Sequence, residues 1–240
     1  MDRLAPCRRP AARPQGFQRW DRLLFSHFEV PEALLRPLVH PRLSIDSFEG
    51  RCFVGVVMFE MQRVRPYRFL PSFPTATRFA QINLRTYVHV DGEEPGVFFL
   101  SLDCESTLVV QVARALWHVP YHRAHFTREE REDRVHWSAE RQSSPCRFEA
   151  DFVIGAELPA AQLGSLEFFL TERYQFYAGK GDDLLRARVH HVPYPLHEAR
   201  VTTFTPSLVE ATGLPTDGAR TPDYWSPGVD VDIHRLERVR

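Results

Sequence analysis

The sequence predicts a mainly β domain, β-rich α+β in class. About ten strands bend into a closed, curved barrel, and two or three helices pack outside it. Three observations carry this expectation. Runs of β-branched and aromatic residues recur between Pro, Gly and Asp punctuation. One segment, Arg78 to Val90, alternates without a break: Ile82, Leu84, Thr86, Val88 and Val90 fall on one side, and Gln81, Asn83, Arg85, Tyr87 and His89 on the other. Helical spacing appears in few places.

The elements follow in order. Met1 to Gly16 is rich in Arg, Pro and Ala, lacks an apolar stretch, and reads as a disordered arm before a single domain over 17–240. Phe17 to Phe28 is the first ordered element. Pro31 opens a short helix with Leu34, Leu35 and Leu38 on one face. Leu43 to Phe48 and Arg51 to Arg65 are strands, the second with Gly55 as a bulge or point of close approach. Pro66 to Pro74 is a loop. Arg78 to Val90 and Val97 to Asp103 form a hairpin around Asp91-Gly92. Ser106 caps a helix running to about Trp117. Strands follow at Tyr121 to Thr127, Val135 to Gln142 and Arg147 to Ile154. Ser165 caps a helix whose stripe runs from Leu166 through Tyr174 to Tyr177. Leu184 to Val192, Ala199 to Phe204 and Val229 to Leu236 complete the strands, and Ser207 to Ala211 is a helical turn.

Composition excludes several classes. The chain has 240 residues and a formal net charge of −1, which argues against a nucleic-acid partner or an anionic membrane surface. Its 30 basic residues include a single lysine, Lys180, and Asn83 is its only asparagine. That codon bias is what a GC-rich bacterial genome produces. Cys7, Cys52, Cys104 and Cys146 form no C-x-x-C pair and read as reduced thiols of a cytoplasmic protein. No apolar run is long enough to span a bilayer. The sequence indicates no cofactor and is compatible with a homo-oligomer.

Several segments resemble the YqjF-like family of unknown function, distant relatives of acetoacetate decarboxylase. They include Phe25-Ser26-His27, Leu43 to Gly50, Phe79 to Val88, Gly96 to Asp103, Val119-Pro120-Tyr121, Thr171-Glu172-Arg173-Tyr174 and His191 to Leu196. The resemblance implies the acetoacetate-decarboxylase-like fold with a central cavity. It implies no assigned activity. The decarboxylases use a Schiff-base lysine in a Pro-Lys-Lys segment, and the similar segment here is Pro120-Tyr121-His122. Schiff-base decarboxylation is therefore not expected. The family's hairpin strand commonly carries a glutamate where this chain has Gln81, which removes a candidate acid or base.

Two readings of the polar stripe stay open. As a site, Gln81, Asn83, Arg85 and Tyr87 line a cavity, with Ser101 on the partner strand. Arg85 then anchors a small carboxylate or keto-acid in bidentate fashion. Tyr121 and His122, the latter near the family's lysine position, are the candidate catalytic groups of a lyase-like reaction. As structure, the stripe is the wet face of an antiparallel strand, or Arg85 ties down Asp103. A non-catalytic ligand-binding or interaction domain is the alternative function. Histidines near 118–125 and 190–197 match no metal cage, and none is expected to hold a metal. Such an enzyme should gather titratable groups in one water-accessible cavity. A fold that has lost the chemistry should fill it with aromatic rings.

Overall fold

The computed structural model describes residues 1–69, 78–111 and 119–239, apart from the side chain of Lys180. Parts of the expected 66–74 loop and 106–117 helix lie outside the described residues. So does His118.

Among the described residues thirteen strands join one strongly curved sheet. They are β1 (Gly16–Val30), β2 (Ser44–Ile45), β3 (Cys52–Arg65), β4 (Phe79–Val90), β5 (Glu93–Cys104), β6 (Tyr121–Arg131) and β7 (Arg134–Arg141). They continue as β8 (Arg147–Glu157), β9 (Gln175–Lys180), β10 (Asp183–His190), β11 (His197–Phe204), β12 (Asp223–Ile233) and β13 (Glu237–Arg238). Short helices at Glu32–Leu35, Leu166–Thr171 and Ser207–Glu210 connect strands. No helix among the described residues is long and apolar enough to cross a membrane.

The pairings β4–β5 and β10–β12 close the sheet on itself. The result is not a regular barrel, because two strands fork. β5 pairs with β9 at Val97 and Phe98 and with β6 at Leu102 to Cys104. β12 pairs with β11 at Asp223 to Trp225 and with β10 at Asp232 and Ile233. Two circuits of strands therefore share one wall, β12-β1-β3-β4-β5. One circuit is completed by β6, β7, β8 and β11, the other by β9 and β10.

Each circuit encloses a core. Val54, Val56, Ile82, Leu84, Phe126, Trp137, Phe148 and Phe152 fill the first. Phe25, Val57, Phe59, Leu102, Tyr121, Tyr194 and Val229 fill the second, extended by Phe53, Tyr87 and Phe169. The shared wall explains why β4 is buried along both faces from Phe79 to Val88. Water covers neither side of it, so the wet-face reading of the stripe does not hold.

Two elements differ from expectation. Ser165 caps its helix, accepting from the Phe168 N–H at 3.2 Å, but the helix ends at Thr171, and Gln175 to Lys180 is β9. Phe176 and Tyr177 suit a strand as well as a helix, and parallel pairing with Val97 and Phe98 decides between them. β12 begins at Asp223, upstream of Pro227-Gly228. Gly228 adopts φ +126° where a Cβ would come within 2.2 Å of the Trp20 carbonyl, so a glycine carries the strand past its proline.

Residues 1–15, expected as an arm without structure, hold no strand or helix and make defined contacts. Arg3 donates to both Asp46 oxygens, at 2.6 and 2.7 Å, and stands over the Phe169 ring. The Gln15 N–H bonds the Ile233 carbonyl at 2.8 Å.

Candidate functional site

The register aligns one row of residues across the shared wall. His27 of β1 lies opposite Gly55 of β3, Gly55 opposite Arg85 of β4, and Arg85 opposite Phe99 of β5. Directly paired antiparallel residues point to the same face, so this row faces the second core. Gly55 is required there by space: a Cβ would stand 2.8 Å from His27 Cδ2 and 2.9 Å from His27 Nε2. The glycine in β3 is a point of close approach.

Arg85 is 8% exposed. It donates to the Leu170 carbonyl at 3.0 Å, and its Nε has no acceptor among the described residues. Its guanidinium lies 5.7 Å from the Phe25 ring centre and 5.8 Å from that of Tyr87. No carboxylate among the described residues forms an ion pair with it. The Tyr87 hydroxyl donates to the same Leu170 carbonyl at 2.7 Å and lies 2.7 Å from His27 Nε2. A carbonyl only accepts, so the tyrosine proton is committed to Leu170. His27 must then supply Nε2–H, which leaves Nδ1 as a lone pair. That Nδ1 is buried and has no donor among the described residues. Burial, reinforced by the Arg85 charge, holds His27 neutral, its pKa well below 6.5.

The opposite wall comes from the Leu166–Thr171 helix and the coils after it. Tyr174 stacks on His191 with centroids 4.4 Å apart, and Tyr194 lies 4.6 Å from the same ring. Phe25 meets Tyr194 edge-on at 5.1 Å, which links this wall to Arg85. Glu172 is buried, hydrogen-bonded by the Tyr174 hydroxyl and by the Tyr194 N–H, and burial raises its pKa. Beside it Arg173 pairs with Asp46 at 2.9 Å. Burial alone would raise the Asp46 pKa, but hydrogen bonds and charge from Arg3 and Arg173 hold it below the usual 3.8.

The structure divides the residues singled out in the sequence. Arg85 and Tyr87 come together. Gln81 and Asn83 share their face, and the Tyr121 hydroxyl donates to Gln81 Oε1 at 3.4 Å at the far end of the stripe. Ser101 does not join them. It stands opposite Leu84, and Asp103 opposite Ile82, on the other face of the wall, and β5 shifts register between the Leu84 and Arg85 pairings. Both belong to Arg141 of β7, which donates to Ser101 Oγ at 2.8 Å and to Asp103 at 2.9 Å. The expectation that Arg85 faces Asp103 is therefore corrected. His122 pairs in register with Asp103, and Tyr121 with Leu102, so adjacent residues of β6 turn these two candidates to opposite faces.

His27, the Leu170 carbonyl, Glu172, His191 and Tyr194 were not identified as site groups from the sequence. Their signal lay in the segments that carry the family resemblance, Phe25 to His27, Thr171 to Tyr174 and His191 to Leu196. Among the described residues one set with metal-ligating chemistry, His136, Glu149 and Asp151, has donor atoms within 4.8 Å of one another. It lies half-buried on β7 and β8, with His136 bonded to Asp151 at 2.8 Å and Glu149 paired with Arg147 at 3.0 Å.

The surroundings of Arg85 are closely packed. A cavity of about 260 Å³ opens at the fork of β5, lined by Phe98, Phe99, Leu100, Val119, Pro120 and Tyr177 among others. A void of about 10 Å³, room for one water, lies between Arg3, Pro6, Phe169, Glu172 and Arg173. Arg85 borders neither.

This two-circuit sheet with its buried polar row is an acetoacetate-decarboxylase-like fold. The acetoacetate decarboxylase of Legionella pneumophila superposes with a TM-score of 0.65 over 97% of this chain and 92% of that one, at 14% identity. The enduracididine biosynthesis enzyme MppR, solved in complex with pyruvate, gives 0.64 over 95% and 91%, at 10% identity. The chain belongs to the DUF2071 family, described as an uncharacterised conserved protein, whose model matches residues 17–230. It is 32% identical over 198 residues to the uncharacterised protein YqjF of Bacillus subtilis, covering 82% of this chain and 81% of that protein.

Proposed function

We propose that the protein binds a small carboxylate or keto-acid in the second core, with Arg85 as anchor. One observation carries the reading: Arg85 is a buried cation whose Nε has no acceptor and which has no carboxylate partner among the described residues. Burying such a charge costs several kcal/mol unless an anion offsets it, and an incoming carboxylate supplies that anion. Phe25, Tyr87 and Tyr194 exclude water and so strengthen the attraction. The pyruvate bound by MppR, a protein of like fold, agrees with this ligand class. Any turnover runs without a Schiff base in the Pro120-Tyr121-His122 segment, which has no lysine. The tight aromatic packing around Arg85 favours the second reading, a non-catalytic binding domain, over an open reaction chamber.

The test is a thermal-shift series of small carboxylates and keto-acids on wild type and Arg85→Met. A ligand at ~100 times its Kd adds about 2.7 kcal/mol, or roughly 5–10 °C for a domain of this size. The shift should be absent in Arg85→Met, and the ligand-free variant should melt no lower than wild type, because an unpaired buried charge has been removed. No response in wild type, together with a variant that melts far lower, makes Arg85 architectural and refutes the reading.

A further inference from the structure

We infer that the ligand of the Arg85 site is a hydroxy-acid, its carboxylate on Arg85 and its hydroxyl donating to His191 Nε2. This rests on the reading of Arg85 as an anion anchor and adds the polarity of the second contact. His191 Nδ1 lies 2.7 Å from the Val192 carbonyl, which can only accept, so Nδ1 carries the proton. Burial pushes the His191 pKa down to about 4, so the ring is neutral near pH 7. Nε2 is then a lone pair. It is buried, the residue being 3% exposed, and no group among the described residues donates to it.

The ring cannot turn to find another partner. Tyr174 stacks on one face, Tyr194 packs at 4.6 Å, Trp20 lies 5.9 Å away, and the bond to Val192 fixes the rotation. Ring contacts connect the two groups: the Arg85 guanidinium lies 5.7 Å from Phe25, Phe25 lies 5.1 Å from Tyr194, and Tyr194 lies 4.6 Å from His191. Cation and fixed acceptor, joined through Phe25 and Tyr194, define a ligand with an anionic end and a hydrogen-bond donor. A saturated carboxylate satisfies only the first. A hydroxy-acid, or the enol form of a keto-acid, satisfies both.

The experiment compares lactate with propanoate, which differ in one hydroxyl, by calorimetric titration of wild type, His191→Phe, His191→Gln and Arg85→Met. Wild type should bind lactate at least about tenfold more tightly than propanoate, the worth of one buried hydrogen bond. His191→Phe keeps the stacked ring and removes the lone pair, so both acids should bind it alike. His191→Gln places an amide oxygen near the Nε2 position and should restore part of the preference. Arg85→Met should lose both ligands. Thermal unfolding identifies any variant that fails to fold, and the wild-type comparison alone still decides the matter. Equal wild-type affinity for the two acids, lost in Arg85→Met, overturns the hydroxy-acid inference and leaves the anion site standing. If wild type binds neither acid, both readings fall.

Discussion

Gly55→Ala tests the row on which the candidate site is built. The new methyl group would sit 2.8 Å from His27 Cδ2, 2.9 Å from His27 Nε2 and 3.4 Å from the Tyr87 hydroxyl. Carbon atoms in contact prefer separations near 3.5–4.0 Å, so His27 must move by more than half an ångström. It cannot do so freely, since Nε2 is bonded to Tyr87, which is bonded to Leu170. Overpacking of this kind costs about 1–3 kcal/mol, and the Gly→Ala entropy gain returns less than ~1 kcal/mol. A net loss of about 1–2 kcal/mol corresponds to roughly 2–8 °C in Tm. Calorimetry on Gly55→Ala, His27→Ala and the double variant forms a cycle. If the methyl clashes with the imidazole, the double variant should be more stable than the sum of the single losses by about 1 kcal/mol or more. A Tm unchanged in Gly55→Ala, or strictly additive losses, refutes the packing argument.

Two further predictions concern the ion pairs that flank the site. Asp46→Asn leaves Arg173 buried without its anion and should cost about 3–5 kcal/mol at neutral pH, measured by denaturant unfolding. Asp46 has a lowered pKa in the fold, so its contribution is complete above the unfolded value of 3.8 and fades as pH falls through the lower folded value. The stability of wild type should therefore fall more steeply with falling pH than that of the variant between 3.8 and that lower value. Arg141→Met strands the Asp103 carboxylate, whose pKa burial already raises above 3.8 despite the arginine. It should destabilise by about 3–5 kcal/mol at pH 7. The loss should shrink at pH 5, as Asp103 protonates more readily without its partner, and adding Asp103→Asn should recover much of it.

How much of this was legible in the sequence depends on how local the cause was. β4 could be read because strict alternation is a property of one segment, and its boundaries held to within a residue. Its burial could not be read. A strand with a polar face looks half-wet, and only the forks of β5 and β12 place a second core against that face. Ser101 was misplaced because a register shift in β5 decides which face it joins, and a shift leaves no mark in composition. β9 was read as helix because Tyr174 and Tyr177, three apart, continue the stripe from Leu166 at helical spacing, and only the distant pairing with Val97 and Phe98 makes the segment a strand. His27 carried no cue beyond its place in the Phe25-Ser26-His27 resemblance, since its partner Tyr87 is 60 residues away and the room for it is made by a glycine on a third strand.

The same fold also supplies the comparison by which Arg85 should be judged. Where arginines serve architecture here, their charges are answered: Arg173 and Arg3 converge on Asp46, and Arg141 holds Asp103 and Ser101 together. Next to Arg85, Leu170 accepts from Tyr87, and Tyr87 from His27. Among the described residues Arg85 Nε, Asn83 Oδ1, His27 Nδ1 and His191 Nε2 are buried without a partner, as are Arg173 Nη2 and Trp137 Nε1 elsewhere in the fold. A buried polar network kept for stability gains most when every member is satisfied, and a partly satisfied one is worse than an apolar core. In the proposed reading the ligand's carboxylate answers Arg85 Nε and its hydroxyl answers His191 Nε2, two open groups with Phe25 and Tyr194 between them.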